Sequence, residues 1–134
     1  MKNLNKKKLL IFDLDGVIFD SKKNMELAWN ETSKKYNLNI LFPLYFKRIG
    51  IPFLEILKSL GVKPKNEIYQ CFKDISLKKI HVIKPYKYVI DQLKLLKKNN
   101  IKFSIVTSKD FKRTKFLLRK FNIQPNTIHC PNNR

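Results

Sequence analysis

The sequence of 134 residues is long enough for one domain with a hydrophobic core, and its charge is strongly unbalanced. It carries 29 Lys and Arg against 10 Asp and Glu, a formal net charge of +19, which raises a nucleic acid or another anionic surface as a partner. Only four of the 29 cations are Arg, the lysines are spread from end to end, and no helix-turn-helix or zinc-finger pattern is present, so the sequence disfavours nucleic-acid binding.

The N-terminus has a basic start in Lys2 and in Lys6 to Lys8, as a signal peptide does. The apolar run that follows is only four residues long, from Leu9 to Phe12, and it ends at Asp13. A signal-peptide core and a membrane span both need a longer apolar segment. The sequence therefore predicts a cytoplasmic protein without a membrane anchor.

Leu9 to Phe12 are apolar without alternation and end at an acidic turn, which predicts a short, buried strand. Asp13 and Asp15 follow directly, and their burial would cost on the order of several kcal/mol unless a cation or hydrogen-bond donors meet the carboxylates. Gly16 allows the backbone to turn tightly behind them. Two carboxylates at this spacing suit a magnesium-assisted phosphoryl-transfer site, although a solvated turn after an edge strand is the plainer alternative.

The segment from Asp13 to Ser21, DLDGVIFDS, resembles motif I of the haloacid dehalogenase (HAD) superfamily, DxDGVxxDS. The resemblance implies that Asp13 is the nucleophile that forms an aspartyl-phosphate, that Asp15 is the general acid and then the general base, and that both hold a Mg²⁺ cofactor. The chemistry is consistent with this division, because a carboxylate nucleophile needs no activating base and a protonated neighbour can protonate the leaving oxygen. Asp20 and Ser21 are better explained as helix N-caps.

The segment from residue 22 to residue 80 has helical periodicity and predicts a small helical bundle. The apolar stripe of its first helix is formed by Met25, Ala28, Trp29, Thr32 and Tyr36. A Pro-containing linker at Leu41 to Leu44 is followed by a short helix between Pro52 and Gly61, and another helix begins at Pro64. The residues predicted to face inward on these two helices are Phe53, Leu54, Leu57, Leu60, Ile68, Phe72 and Ile75. Such stripes indicate a core and not a cofactor site.

The rest of the chain alternates between helices and strands. Pro85 starts a predicted helix whose apolar residues are Val89, Ile90, Leu93 and Leu96. Phe103 to Val106 then form a second apolar strand, and Thr127 to Cys130 predict a short third strand. On the helix between these strands, the residues predicted to face inward are Phe111, Leu117, Leu118 and Phe121, and those predicted to face mostly outward are Lys112, Arg113, Lys115, Arg119 and Lys120.

This alternation implies an α/β fold with a doubly wound parallel sheet, in which ligands bind beyond the carboxyl ends of the strands. Phe103 to Thr107 resembles motif II of the same superfamily, a hydrophobic strand that ends in Thr or Ser. The resemblance implies that Thr107, with Ser108 and Lys109, binds the phosphate of the substrate, helped by the amides at the start of the next helix. A surface lysine is the plainer explanation of Lys109 in so basic a chain.

The long separation of Asp13 from Thr107, with a helical insert between them, matches family members that carry a C1 helical cap, a lid that selects substrates. We therefore expect residues 1–20 and 82–134 to form a HAD-like core and residues 21–81 to form the cap. In the cap, Lys47 and Arg48 are candidates for contacting the remote end of the substrate. The sequence is most similar to phosphoglycolate phosphatase-like and β-phosphoglucomutase-like members, which implies a small phosphorylated substrate and leaves hydrolysis or mutase transfer open.

Two motifs of the family cannot be placed: the third-motif lysine, which neutralises the phosphoryl group, and the fourth-motif acidic pair, which completes the magnesium site. The expectation is a HAD fold that is truncated before its third motif and has an incomplete sheet. In the strand order of the family, Leu9 to Phe12 would then become an open apolar edge that favours self-association.

Three functions remain open at this stage. The first is a magnesium-dependent phosphomonoester hydrolase, and the second is an inactive truncated chain or interaction module. The third, with less support, is a basic nucleic-acid-binding protein.

The two cysteines, Cys71 and Cys130, stand far apart and form no CxxC motif. His81 and His129 do not stand at the spacing from these cysteines that zinc-binding motifs have, so the sequence gives no indication of a zinc site. Free thiols favour a reducing compartment, in agreement with a cytoplasmic location.

Overall fold

The computed structural model describes residues 9–131, which form two compact units. Of the described residues, 9–18 and 85–131 form the first unit, and the second runs from Phe19 to Lys84. The interpretation of the second unit as a substrate-selecting cap stays a prediction.

In chain order the elements are β1 (Leu9–Phe12), β2 (Phe19–Asp20), α1 (Lys22–Lys35), α2 (Phe42–Phe46), α3 (Phe53–Ser59), α4 (Asn66–Lys78), a 3₁₀ turn (Ile80–Val82), β3 (Lys84–Pro85), α5 (Val89–Lys98), β4 (Lys102–Val106), α6 (Phe111–Lys120) and β5 (Thr127–His129). The N-terminal lysines considered above, Lys2 and Lys6 to Lys8, lie outside the described residues. No helix in the described part of the chain is both long enough and apolar enough to cross a membrane.

The first unit is built on a three-stranded parallel sheet in the order β1-β4-β5. Phe12 pairs with Ile105, and Ser104 pairs with Thr127. The predicted α/β class with a doubly wound parallel sheet is confirmed, and the sheet is small. The buried apolar residues of its core are Leu14, Ile18, Leu93, Phe103, Ile105, Leu117, Leu118 and Ile123.

The first strand has the predicted bounds, but the prediction that it is buried is wrong for half of its residues. Leu9 is 57% exposed and Ile11 is 63% exposed, whereas Leu10 and Phe12 are half-buried. Phe12 lies edge to face with Phe103, at 6.0 Å between ring centroids. Successive strand residues point to opposite faces, and among the described residues only one face of β1 is covered.

The second unit is a helical bundle, as the periodicity of the sequence predicts. Trp29 is fully buried, stacks on Tyr45 at 4.4 Å between ring centroids, and donates its indole N–H to the carbonyl of Ile40 at 2.8 Å. The residues buried with Trp29 in this core are Met25, Ala28, Phe42, Tyr45, Phe53, Ile56, Leu57, Ile68 and Phe72. These residues form one aromatic-rich core, so the apolar stripes predicted from the sequence serve to pack the helices together.

Two predicted boundaries at prolines are wrong. Leu41 to Leu44 do not form a linker, because Pro43 lies in the first turn of α2, where a residue without an N–H is tolerated. Pro85 does not start a helix. It ends β3, and α5 begins only after Tyr88, whose backbone is left-handed with φ 67°. β2 and β3, which the sequence did not predict, pair with each other in a two-stranded sheet.

Candidate functional site

Both groups of predicted site residues lie at the carboxyl-terminal edge of the parallel sheet. Asp13 and Asp15 follow β1, and the segment from Thr107 to Lys109 follows the neighbouring strand β4. Because the two strands are parallel and Phe12 lies opposite Ile105, their carboxyl ends meet at one edge. The structure therefore brings these residues together, while the role of each stays a prediction.

The turn after β1 fixes the direction of the Asp13 carboxylate. Leu14 is fully buried, and its backbone N–H donates to Asp13 Oδ1 at 2.6 Å. Gly16 has a φ of +78°, a conformation that side-chain-bearing residues rarely adopt, and Ile18 donates its N–H to the carbonyl of Leu14 at 2.9 Å. The Gly in the motif is thus required by the turn that presents the carboxylate.

The two aspartates differ in exposure: Asp13 is exposed, whereas the Asp15 side chain is only 13% exposed. Partial desolvation raises the pKa of Asp13 above its usual value, although the Leu14 N–H opposes this effect. The Asp15 charge raises the pKa of Asp13 further, and the Lys109 charge lowers it. The two carboxylates therefore have different surroundings within one turn.

Lys109 is buried at the centre of this edge, so the explanation of a surface lysine is wrong. The residue is 4% exposed, and its ammonium Nζ lies 3.2 Å from Asp15 Oδ1. Burial lowers the pKa of Lys109, and the adjacent Asp15 charge opposes that shift. The ion pair joins the end of β1 to the end of β4.

The turn between β4 and α6 is held by hydrogen bonds on both sides of Lys109. The Lys109 backbone N–H donates to Thr107 Oγ1 at 3.1 Å, and the Thr114 hydroxyl donates to the Lys109 carbonyl at 3.5 Å. Thr107 itself donates its backbone N–H to the carbonyl of His129 in β5 at 3.0 Å. Thr107 is buried and Ser108 is half-buried, so the hydroxyl-bearing segment is fixed in place.

A buried pair at the start of α6 was missed by the sequence analysis, which placed Arg113 outward. Arg113 is 5% exposed; its Nε pairs with Asp110 Oδ2, and its backbone N–H donates to Asp110 Oδ1 at 3.1 Å. Burial by itself would raise the pKa of Asp110, but the charge and hydrogen bonds of Arg113 outweigh it and lower the pKa below its usual value. An Asp directly before an apolar helical pattern is an N-cap signal that could have identified the pair.

The remaining candidate residues are less informative. In the second unit, the Arg48 guanidinium donates to the carbonyl of Leu44 at 2.6 Å, and Lys47 is exposed. Phe111, predicted to face inward, is 39% exposed. Cys130 is half-buried and is a free thiol, and burial raises its pKa.

The oxygen donors at the end of β1 are of the type that Mg²⁺ takes. Among residues 9–131 there is no group of three or more His, Cys, Asp or Glu side chains that could hold a metal ion. The exposed carboxylate of Asp13 and the backbone carbonyl of Asp15 could nevertheless serve as two ligands, because Mg²⁺ is commonly held by few protein oxygens together with water and substrate phosphate. The Asp15 side chain is already paired with Lys109.

Comparison with known proteins agrees with this geometry. Residues 10–127 match the family model described as haloacid dehalogenase-like hydrolase. The chain belongs to the haloacid dehalogenase-like hydrolase family.

Among its HAD-family relatives, a phosphoglycolate phosphatase from Aquifex aeolicus is 30% identical over 119 residues, which cover 87% of this chain and 56% of the relative. Pyrophosphatase PpaX from Oceanobacillus iheyensis is 25% identical over 101 residues, covering 75% of this chain and 47% of the relative. A hydrolase from Pseudomonas syringae superposes with a TM-score of 0.83 at 25% identity, covering 92% of this chain and 60% of that structure. The chain thus spans about half the length of the curated relatives it matches.

Proposed function

We propose that this protein is a magnesium-dependent phosphomonoester hydrolase that acts on a small phosphorylated metabolite, in the manner of a phosphoglycolate phosphatase. The observation that carries the proposal is the meeting of Asp13 and Asp15, at the end of β1, with Thr107 and Lys109, at the end of β4. This edge offers a nucleophile, a second carboxylate, a hydroxyl and a cation. The phosphoglycolate phosphatase among the relatives supports the substrate class.

In the first step of the proposed reaction, a carboxylate oxygen of Asp13 attacks phosphorus, and the bond from phosphorus to the leaving oxygen breaks. Asp15 delivers its proton to that oxygen, so the alcohol leaves uncharged. The Leu14 N–H holds the Asp13 carboxylate by a hydrogen bond. Because Asp13 is exposed, the substrate can reach this carboxylate. The product of this step is an aspartyl-phosphate on Asp13.

In the second step, Asp15 is a carboxylate and takes a proton from water, while the water oxygen attacks phosphorus. The bond from phosphorus to Asp13 breaks and releases inorganic phosphate, which restores the Asp13 carboxylate. Thr107 can donate its hydroxyl hydrogen to a phosphate oxygen, because its Oγ1 already accepts the N–H of Lys109. Ser108 directly follows Thr107 and is the second candidate donor.

Asp13 and the backbone carbonyl of Asp15 would hold Mg²⁺, which when bound neutralises phosphoryl charge. We assign the helical unit, Phe19–Lys84, as the cap that selects the substrate. The free thiols of Cys71 and Cys130 support a cytoplasmic location for this activity.

Phosphate release from a panel of small phosphomonoesters, with and without Mg²⁺, tests the proposal. The wild type is expected to release phosphate only with Mg²⁺, and Asp13→Asn is expected to lose at least about 10³-fold, because removal of a covalent nucleophile leaves only residual catalysis. Asp91→Asn is the matched control, since Asp91 is an exposed aspartate in α5. Equal activity in Asp13→Asn and wild type would refute the assignment.

A second candidate function, an inactive chain that associates through the sheet edge, is favoured by the exposure of Leu9 and Ile11 on β1. It predicts no magnesium-dependent turnover and a mass above the monomer by light scattering, reduced by Ile11→Lys. A monodisperse, active monomer would reject it. An intact mass above 16.0 kDa for the protein from its native source would instead indicate a longer chain, in which the third and fourth motifs should be sought.

A further inference from the structure

We propose that Lys109 is a positioning residue for the second step: its ammonium holds the Asp15 carboxylate in place as the base that activates water. This inference rests on the proposed function and assigns to Lys109 a role other than binding the substrate phosphate.

The first support is the identity of the partner of Lys109. Its side chain is 3% exposed, and its ammonium forms an ion pair with Asp15 Oδ1 at 3.2 Å. A buried ammonium needs a counter-charge, and a buried carboxylate needs donors, so each group meets the requirement of the other. The contact therefore holds the group that takes a proton from water in the second step.

The second support is that the backbone of Lys109 is fixed. Thr107 Oγ1 accepts its N–H, Thr114 donates to its carbonyl, and Asp110 caps the following helix while paired with Arg113. A lysine on a mobile surface segment loses side-chain entropy when it pairs, whereas here burial and the turn have already restricted the stem. The ammonium is therefore pre-organised against Asp15.

The third support is that the two carboxylates are held by different groups. Asp13 is held by the backbone N–H of Leu14, while Asp15 is held by Lys109. Loss of Lys109 would leave the Asp13 hydrogen bond intact and remove the ammonium contact to the Asp15 carboxylate. Loss of Lys109 is therefore expected to slow the step that uses Asp15 as a base. Attack by Asp13 is expected to stay largely unchanged when the substrate needs no acid.

A substrate with a good leaving group isolates that step. The nitrophenolate oxygen of 4-nitrophenyl phosphate departs without a proton, so formation of the aspartyl-phosphate does not need an acid. Rapid-quench single turnovers with enzyme in excess and Mg²⁺ present follow release of nitrophenol and release of phosphate separately.

Lys109→Met is expected to slow phosphate release at least about tenfold, to change kcat/KM less than threefold, and to accumulate phosphorylated enzyme. Lys112→Met, which removes an exposed lysine three residues further on, is expected to change none of these quantities. Lys109→Gln, which removes the charge and keeps a donor, provides a second variant if Lys109→Met does not melt cooperatively.

Two results would overturn the inference while leaving the proposed function standing. One is an unchanged rate of phosphate release in both Lys109 variants, and the other is a loss confined to kcat/KM, which would assign Lys109 to substrate binding. Absence of turnover in the wild type would instead refute the proposed function itself.

A measurement without substrate tests the contact directly. In a ¹H–¹⁵N correlation spectrum of lysine ammonium groups, the Lys109 signal is identified by its loss in the Lys109 variants. It is expected to shift or broaden beyond detection in Asp15→Asn and to persist in Asp13→Asn. Persistence at an unchanged position in Asp15→Asn would overturn the inference.

Discussion

The buried pair of Asp110 and Arg113 allows a quantitative test of what holds the turn that carries Lys109. Asp110 is 6% exposed and Arg113 is 5% exposed, and Asp110 also caps α6 through the backbone N–H of Arg113. Removal of one partner of a buried ion pair costs about 3–5 kcal/mol, because the other charge stays buried without compensation. Loss of an N-cap costs about 0.5–2 kcal/mol.

Four variants separate these two contributions: Asp110→Ala, Asp110→Asn, Arg113→Met and the double variant. Asp110→Ala loses the cap and the pair, so its free energy of unfolding is expected to fall by about 4–6 kcal/mol. Asp110→Asn keeps an oxygen for the cap and is expected to lose about 1 kcal/mol less. In the double variant Asp110→Asn with Arg113→Met neither charge of the pair is left behind, so its loss is expected to be smaller than the sum of the two single losses.

Urea unfolding followed by far-UV circular dichroism measures these differences, with Asp91→Asn as the exposed control. The control is expected to stay within about 0.5 kcal/mol of the wild type. An equal stability of Asp110→Asn and wild type, or strictly additive losses in the double variant, would refute the reasoning that a buried charge pair stabilises this turn.

Two further predictions concern Asp13 and the helical core. Because the pKa of Asp13 is raised in the folded protein, its ionisation costs stability as pH rises through that pKa. Asp13→Asn is therefore expected to be more stable than wild type at neutral pH, by less than about 1 kcal/mol because Asp13 is exposed, and the gain should vanish at strongly acidic pH. A gain that grows on acidification in urea titrations would contradict this. Trp29→Ala is expected to lose about 3–5 kcal/mol through the cavity it leaves, whereas Trp29→Phe should lose less; equal losses by circular dichroism would contradict the packing described.

The sequence predicted the parallel strands and the main helices because their apolar residues recur at the periods that these elements require. It could not predict that Leu9 and Ile11 are exposed, since a four-residue apolar run does not tell whether one face or both are covered. Pro43 was misread because proline both interrupts a helix and begins one.

At the site, the motif residues predicted which groups meet but not how they are paired. The burial of Lys109 depends on Asp15, which is distant in the sequence and is brought near only by the pairing of β1 with β4. Arg113 was placed outward because charged residues on a helix usually face solvent, and its contact with Asp110 could be inferred only from the cap. Local patterns therefore located the site, while its ion pairs required the tertiary structure.

The central claim is that Asp13 receives the phosphoryl group. It is tested most directly by mass spectrometry of the protein quenched in acid during turnover of 4-nitrophenyl phosphate with Mg²⁺. The account predicts one added phosphoryl group, located by fragmentation on Asp13 and absent from Asp13→Asn. A phosphoryl group on another residue, or steady turnover by Asp13→Asn, would contradict it.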